Sequence, residues 1–254
     1  MSIFPTERTA IITGAVSERG IGRATASYLA AQGWNIGIID LDDALCKAAA
    51  KELAAEHGVK AFGAGANVSD EGSVRAAIDA IEAELPQIVA LANVAGVSSP
   101  VPYLELDAAE WDRVLNINLN GVHYATRRVA ESMVKNRIGR IVNISSVSAQ
   151  RGGGVFGKVP YSSAKAAILG FTKALARELG SSGVTVNAVT PGAVDTNIRV
   201  GTTDEIEAAI VGAIPLGRTA TPEEVAAVFV FLSSDEASYL QGTTIDINGG
   251  SHMH

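Results

Sequence analysis

Short apolar runs of four to six residues alternate with longer segments of helical periodicity along this whole chain, and few folds accommodate that alternation. The runs fall at residues 9–13, 35–39, 60–65, 88–93, 140–144, 185–189 and 244–247. Being apolar at successive positions, they read as strands covered on both faces. Between them, residues 21–32, 44–56, 71–84, 108–135, 161–179 and 222–232 repeat apolar side chains every three or four positions, as helices do. Strands separated by helices run parallel through right-handed crossovers, so the expected fold is α/β, a doubly wound parallel sheet of about seven strands flanked by helices on both faces. No composition break marks a linker, and a chain of 254 residues is expected to form one domain over 1–254. Ligands of such sheets bind beyond the carboxyl ends of the strands, near the switch point in strand order. Residues 197–220 break the alternation and are expected to form a flap over that place.

Charge and cysteine content narrow the class. A formal net charge of −7 argues against a nucleic-acid or anionic-membrane partner, since both need clustered Lys and Arg. Cys46 is the only cysteine, which excludes an internal disulfide and fits a reducing compartment. The first residues lack a basic segment leading into an apolar run, and no apolar stretch is long enough for a bilayer, so the expected location is cytoplasmic. His57, His252 and His254 show no metal-ligand spacing, His123 reads as packed or solvated, and no metal is expected.

Tyr161 and Lys165 stand one helical turn apart and share a face. A free phenol, with a pKa of about 10, is a poor base near neutrality, but a nearby fixed positive charge favours the phenolate. The pair can thus move protons, although such a pair taken alone is far more often an ordinary exposed helical pair. At the other end, the first strand runs through Thr13 into Gly14, Ala15, Val16, Ser17, Glu18, Arg19, Gly20, Ile21 and Gly22, and a helix follows. Glycines in that place let the backbone turn sharply and approach a pyrophosphate at a helix N-terminus. The second strand ends at Asp40, about twenty residues past Gly20, where a carboxylate accepts from ribose hydroxyls and repels a 2′-phosphate. The competing reading of Asp40 is a helix cap, together with Asp42 and Asp43.

Taken together, the order and spacing of the Gly14–Gly22 turn, Asn93-Val94-Ala95-Gly96, Asn118-Leu119-Asn120-Gly121, Ser145-Ser146, Tyr161 with Lys165, Pro191-Gly192 with Thr196, and Asn248-Gly249-Gly250 resemble the short-chain dehydrogenases/reductases over nearly the whole chain. The resemblance implies a Rossmann-type sheet and an oxidoreductase. It implies that Tyr161 is the general acid/base, that Lys165 tunes it and bonds the nicotinamide ribose, that Ser146 polarises the substrate oxygen, and that Asn118 holds a water linking Lys165 to solvent. Hydride transfer to a carbonyl leaves an alkoxide that needs a proton, which agrees with those roles. The implied dinucleotide contacts are Gly14, Ser17, Arg19, Gly20, Ile21 and Gly22 at the phosphates, Asp40 with Leu41 at the ribose, Asn67 and Val68 at the adenine, and Asn93, Ala95 and Gly96 beside the long helix. Pro191, Gly192, the backbone of Val194 and the hydroxyl of Thr196 are the implied clamp on the carboxamide. The resemblance also implies a homotetramer or homodimer through helices 108–135 and 161–179.

Three departures from the family pattern bear on these expectations. The turn from Gly14 to Gly20 is two residues longer than usual, so Ser17, Glu18 and Arg19 are expected to form a raised loop. Asn67 stands where relatives often carry Asp. The stretch from Ser146 to Tyr161 is also two residues longer, which leaves Ser148 at the usual spacing as a rival to Ser146; the local run Asn143-Ile144-Ser145-Ser146-Val147 favours Ser146. Arg19 points to NADP and Asp40 to NAD, and the direct penalty of a carboxylate beside a dianionic phosphate makes NAD the expected cofactor and NADP the second. For substrate, Ser148, Arg151, Gly153, Phe156, Lys158 and Arg199 suggest a compact polar pocket. The expected substrate is therefore a small sugar or polyol, interconverted between secondary alcohol and ketone or between hemiacetal and lactone. The alternatives are a 3-oxoacyl thioester (acyl-carrier-protein) reductase, which the family usually runs on NADPH, and a regulator that senses nucleotide without turnover.

Overall fold

The structure, a computed structural model, describes residues 3–197 and 203–253. Seven strands, β1 (Thr9–Thr13), β2 (Asn35–Asp40), β3 (Ala61–Gly65), β4 (Ile88–Asn93), β5 (Gly139–Ile144), β6 (Val184–Pro191) and β7 (Thr244–Ile247), form one sheet in the order β3-β2-β1-β4-β5-β6-β7. Every neighbouring pair is parallel. All residues of β1, β4, β5 and β6 are buried, which is why apolar side chains occupy both faces of these segments.

Two helical layers sandwich the sheet, and the strand pleat divides its side chains between them. On one face Ala10, Ile12, Ile36 and Ile38 meet Leu29 of α1 (Ile21–Ala31), Leu53 of α2 (Asp43–His57) and Phe229 of α9 (Pro222–Leu232). On the other, Ile11, Ile39 and Leu91 meet Ile78 of α3 (Glu71–Glu84), Val129 of α5 (Gly121–Asn136) and Ala176 of α7 (Val159–Leu179). The amino ends of the strands are closed by stacked rings and guanidiniums. Phe4 meets Trp34 edge-on at 5.5 Å, Arg8 lies 4.5 Å over Trp34, and Arg140 lies 4.8 Å over Phe4.

Two segments differ from the sequence expectation. Residues 108–135 are not one helix: α4 (Ala108–Leu115) passes through a π-helical turn, Asn116–Asn120, into α5. The Asn118 side-chain amide donates to the Val114 carbonyl at 2.9 Å, occupying the acceptor that an α-helix would offer to the Asn118 backbone N–H, and the turn widens there. The expected flap contains a further helix, α8 (Asp204–Gly212), capped by the Thr203 hydroxyl on the Ile206 N–H at 3.4 Å. A short helix, α6 (Ser148–Arg151), also follows β5.

Candidate active site

The carboxyl ends of the strands open on a cavity of about 710 Å³. Gly14 from the end of β1, Val94 and Gly96 after β4, Ser145 and Ser146 after β5, and Pro191 to Val194 after β6 all line it. In the strand order, β1 and β4 are the neighbours whose connections leave in opposite directions, and the cavity lies over that switch point.

Its floor is polar and fixed. Ser145 donates its hydroxyl to the Lys165 carbonyl at 2.7 Å, which ties α7 to the end of β5 and sets Tyr161 and Lys165 over the strand ends. The Lys165 ammonium donates to the Ile144 carbonyl at 3.1 Å and lies 5.7 Å from the centre of the Tyr161 ring. Burial without a carboxylate partner pulls the Lys165 pKa down to about 7. Burial likewise pushes the Tyr161 phenol up, against which a hydrogen bond from Ser146 acts in the opposite direction. Ser146 therefore touches the phenol, while Ser148 meets Ser146 only through its backbone N–H, at 3.1 Å. Asn118, fully buried behind Gly96, spans to the Val97 carbonyl at 2.9 Å and packs against the same floor. Gly157 passes directly over the tyrosine. A Cβ there would stand 2.4 Å from Tyr161 Cδ1, so this place admits only glycine, a constraint that spacing alone does not show.

The glycine turn has the shape of an anion cradle. A Cβ on Gly22 would lie 2.3 Å from the Gly14 carbonyl oxygen, and Gly14 itself sits at a φ of +71° with Ala95 pressed against it. α1 starts at Gly20 with no side-chain cap, which leaves its first N–H groups for an anion. Asp40 is not the cap of α2. Asp42 fills that role on Leu45 N–H at 3.0 Å, and Asp43 accepts from Gly65 N–H at 2.9 Å. The Asp40 carboxylate instead accepts from Val16 N–H at 3.1 Å and Leu41 N–H at 2.8 Å, fixing one foot of the raised loop. The other foot reaches across the cavity mouth: Arg19 pairs with Asp195 at 2.6 Å, and the Asn197 amide donates to the Ser17 hydroxyl at 3.2 Å. Asn93 turns inward to Thr126 and Asn143, both at 2.9 Å. Asn67 accepts from Ser69, with its hydroxyl at 2.8 Å. Asp40, Leu41, Asn67 and Val68 lie outside the cavity, on the β2 and β3 side of the switch point.

The pocket is less polar than expected, although Ser98, Ser148, Arg151 and Asn197 do line it. The cavity is also lined by Val155 and Phe156 and by Ile206, Ala209, Ile210, Ala213 and Ile214, which give it a large apolar part. These residues face the cavity because α8 turns its apolar stripe inward. Gly153 lines the cavity, Lys158 does not, and Arg199 lies outside the described residues. Arg151 stands at the rim and donates to the Ser251 carbonyl at 2.9 Å.

A family model described as enoyl-(acyl carrier protein) reductase matches residues 14–252. A short-chain type dehydrogenase/reductase of Sinorhizobium fredii is 42% identical over 249 residues, 97% of this chain and 98% of that protein. The 3-oxoacyl-[acyl-carrier-protein] reductase of Aquifex aeolicus is 42% identical over 243 residues, 96% of each. The crystal structure of a 3-oxoacyl-[acyl-carrier protein] reductase from Brucella melitensis superposes with a TM-score of 0.90 at 34% identity, covering 100% of this chain and 98% of that one. The chain belongs to the short-chain dehydrogenases/reductases.

As a member of the short-chain dehydrogenases/reductases, it is an oxidoreductase of CH–OH groups that uses a nicotinamide cofactor. The glycine cradle and the uncapped start of α1 fit the phosphates of such a group. The apolar wall is what the sequence reading passed over, although Thr203 followed by Ile206, Ala209, Ile210 and Ala213 carries the cap and the three- and four-residue spacing of a helix. Among the described residues no cluster of His, Cys, Asp and Glu could hold a metal, and no helix is long and apolar enough to cross a membrane.

Proposed function

We propose that this chain is an NAD-linked oxidoreductase that interconverts a 3-oxoacyl thioester and its 3-hydroxyacyl form. The observation that carries this reading is the continuity of one cavity from Ser146, Tyr161 and Lys165 to the apolar wall of α8 and Phe156. A sugar presents hydroxyls on every side, and this wall has no side chain to pair with them. The names of the relatives from Aquifex aeolicus and Brucella melitensis point the same way.

A bound nicotinamide dinucleotide supplies or accepts the hydride. Ser146 donates to the oxygen at C3, and Tyr161 transfers its phenolic proton to that oxygen as the alkoxide develops. Lys165, once protonated, favours the resulting phenolate and holds the nicotinamide ribose; Asn118 positions the water through which Tyr161 regains its proton. Ketone, hydride and proton together make the alcohol, and the reverse direction uses Tyr161 as base. Asp40 supports NAD because its carboxylate stands at the end of β2 where a 2′-phosphate would meet it. Arg19, the basic residue of the loop, is engaged by Asp195. The placement is cytoplasmic, and the outer faces of α5 and α7, with His123, Arg127, Ala166 and Gly170 exposed, are free to pair copies into a homodimer or homotetramer, which light scattering measures.

The test is to follow nicotinamide absorbance with NADH and acetoacetyl thioesters, beside NAD with a panel of sugars and polyols. Turnover of the thioesters at higher kcat/KM is expected. Faster turnover of any sugar or polyol, or reduction of an enoyl thioester in preference to the 3-oxo form, overturns the reading.

A further inference from the structure

α8 is an amphipathic helix that buries nothing. Ile206, Ala209, Ile210 and Ala213 fall at i, i+3, i+4 and i+7, which is one face, and all four line the cavity. None of the residues of α8 is buried, whereas α9 packs Val225, Ala226, Phe229, Val230 and Leu232 out of solvent. A helix with such a stripe gains its stability by covering it. Here the stripe covers only the cavity. Val155 and Phe156 line the same cavity, and so do Ser146 and Tyr161.

We propose that α8 is a gauge of acyl-chain length, with Ala209 and Ala213 forming the slot along which the methylene chain of the substrate lies. The inference rests on the thioester reading above and adds the residues that select among thioesters. The two alanines sit one turn apart in a row beside that of the larger Ile206 and Ile210, so the face from 206 to 213 has a low side along the alanines, a shallow trough roughly 10 Å long by helix geometry. A chain laid in it desolvates both itself and the isoleucines, which a four-carbon acyl group does not do. Each methylene taken into the trough should then raise kcat/KM about fourfold until the trough is full. Larger side chains at 209 or 213 fill the trough from within and leave the floor untouched.

The experiment measures kcat/KM with NADH for 3-oxoacyl thioesters from four to twelve carbons, on the full chain and on Ala209→Phe, Ala213→Phe and Ala208→Phe. Ala208 is exposed on α8 and does not line the cavity, so Ala208→Phe controls for the helix itself. Expected for Ala209→Phe and Ala213→Phe is a four-carbon rate within about twofold of the unmodified protein and a loss of tenfold or more at the longest chain, with Ala208→Phe unchanged along the series. Ile210→Ala, which deepens the trough, should move the optimum to longer chains. A flat dependence on chain length in the unmodified protein, or the same profile in Ala209→Phe, Ala213→Phe and Ala208→Phe, overturns the gauge while the four-carbon activity leaves the thioester reading standing. Absence of turnover with every thioester overturns both.

Discussion

At its nucleotide end the cavity presents backbone and fixed polar groups: the Gly14 to Gly22 turn, the free start of α1, and Lys165 held to Ile144 at 3.1 Å. At its α8 end it presents apolar side chains on a helix with no buried residue. The first end is complete without its ligand, because its geometry is imposed by strand ends and by glycines that no larger residue can replace. The second end is complete only with something apolar in it. Chemistry is therefore expected to depend steeply on single atoms at one end, and selectivity to depend gradually on volume at the other.

The largest effect should come from the floor. Tyr161→Phe keeps the ring and removes only the transferable proton, so kcat should fall about 1,000-fold while NADH, followed by fluorescence, binds as before. If that variant retained a tenth of the activity, the division between a steep end and a gradual end would be wrong. Its hydrogen bond to Ser146 gives a companion measurement: Ser146→Ala should lower kcat more than Ser148→Ala, since Ser148 reaches the floor only through its N–H.

Next is the stability that the floor gives up. Lys165 has its pKa drawn from the usual 10.5 to about 7 by burial, so between those pH values the unfolded chain binds a proton that the folded one does not. Stability accordingly rises with pH across that window, and the cost of the buried charge is felt in full below it. Lys165→Met, inactive but without that charge, should gain more over the unmodified protein at pH 6 than at pH 9, by about 3 kcal/mol in urea unfolding. Equal gains at the two pH values would show that Lys165 is not desolvated as described.

The selectivity at Asp40 is intermediate in size. Replacing the carboxylate by a neutral group should narrow the ratio of NAD to NADP efficiency by roughly tenfold. Asp40→Asn is the cleaner variant, because its amide oxygen can still accept from Val16 N–H and hold the loop, whereas Asp40→Ala releases both. Equal efficiency of the two cofactors in the unmodified protein would assign the choice to Arg19 instead.

How much of this was readable from the chain follows the same division. The strands announced themselves because most are apolar on both faces, as the fully buried β1, β4, β5 and β6 are, while the order β3-β2-β1-β4-β5-β6-β7 depends on pairings that no local pattern records. Tyr161, Lys165 and the glycine turn could be named because their spacing along one helix or one turn is their geometry. Three features could not be read that way. The π-helical turn at Asn116–Asn120 depends on which acceptor the Asn118 amide takes. Gly157 matters because the segment leading into α7 folds its backbone against the ring of Tyr161, only four residues on, a contact set by the bend of that segment rather than by spacing. The polarity of the pocket was misjudged because Arg151 and Lys158 are near the site in sequence, while the wall is made by α8, about fifty residues further on. Side chains that meet only through tertiary packing leave no local signal of which way they point.

The smallest effect tests where the two ends join. The raised loop is tethered across the cavity mouth by Arg19 to Asp195 at 2.6 Å and by Asn197 to Ser17 at 3.2 Å, and Ser17, Thr196 and Asn197 line the cavity between them. Because these tethers span the cavity beside the glycine turn, they are expected to slow the release of a dinucleotide held there. Both charged side chains are 63% exposed, so the ion pair contributes at most about 1 kcal/mol, and Asp195→Asn should speed NADH release by no more than about fivefold. The sharper signature is salt. Release from the unmodified protein should quicken between low salt and about 0.5 M, as screening weakens the pair, and release from Asp195→Asn should respond much less. Stopped-flow fluorescence of NADH release measures both, and identical salt dependence in the two proteins would mean that the loop and the segment after β6 move independently.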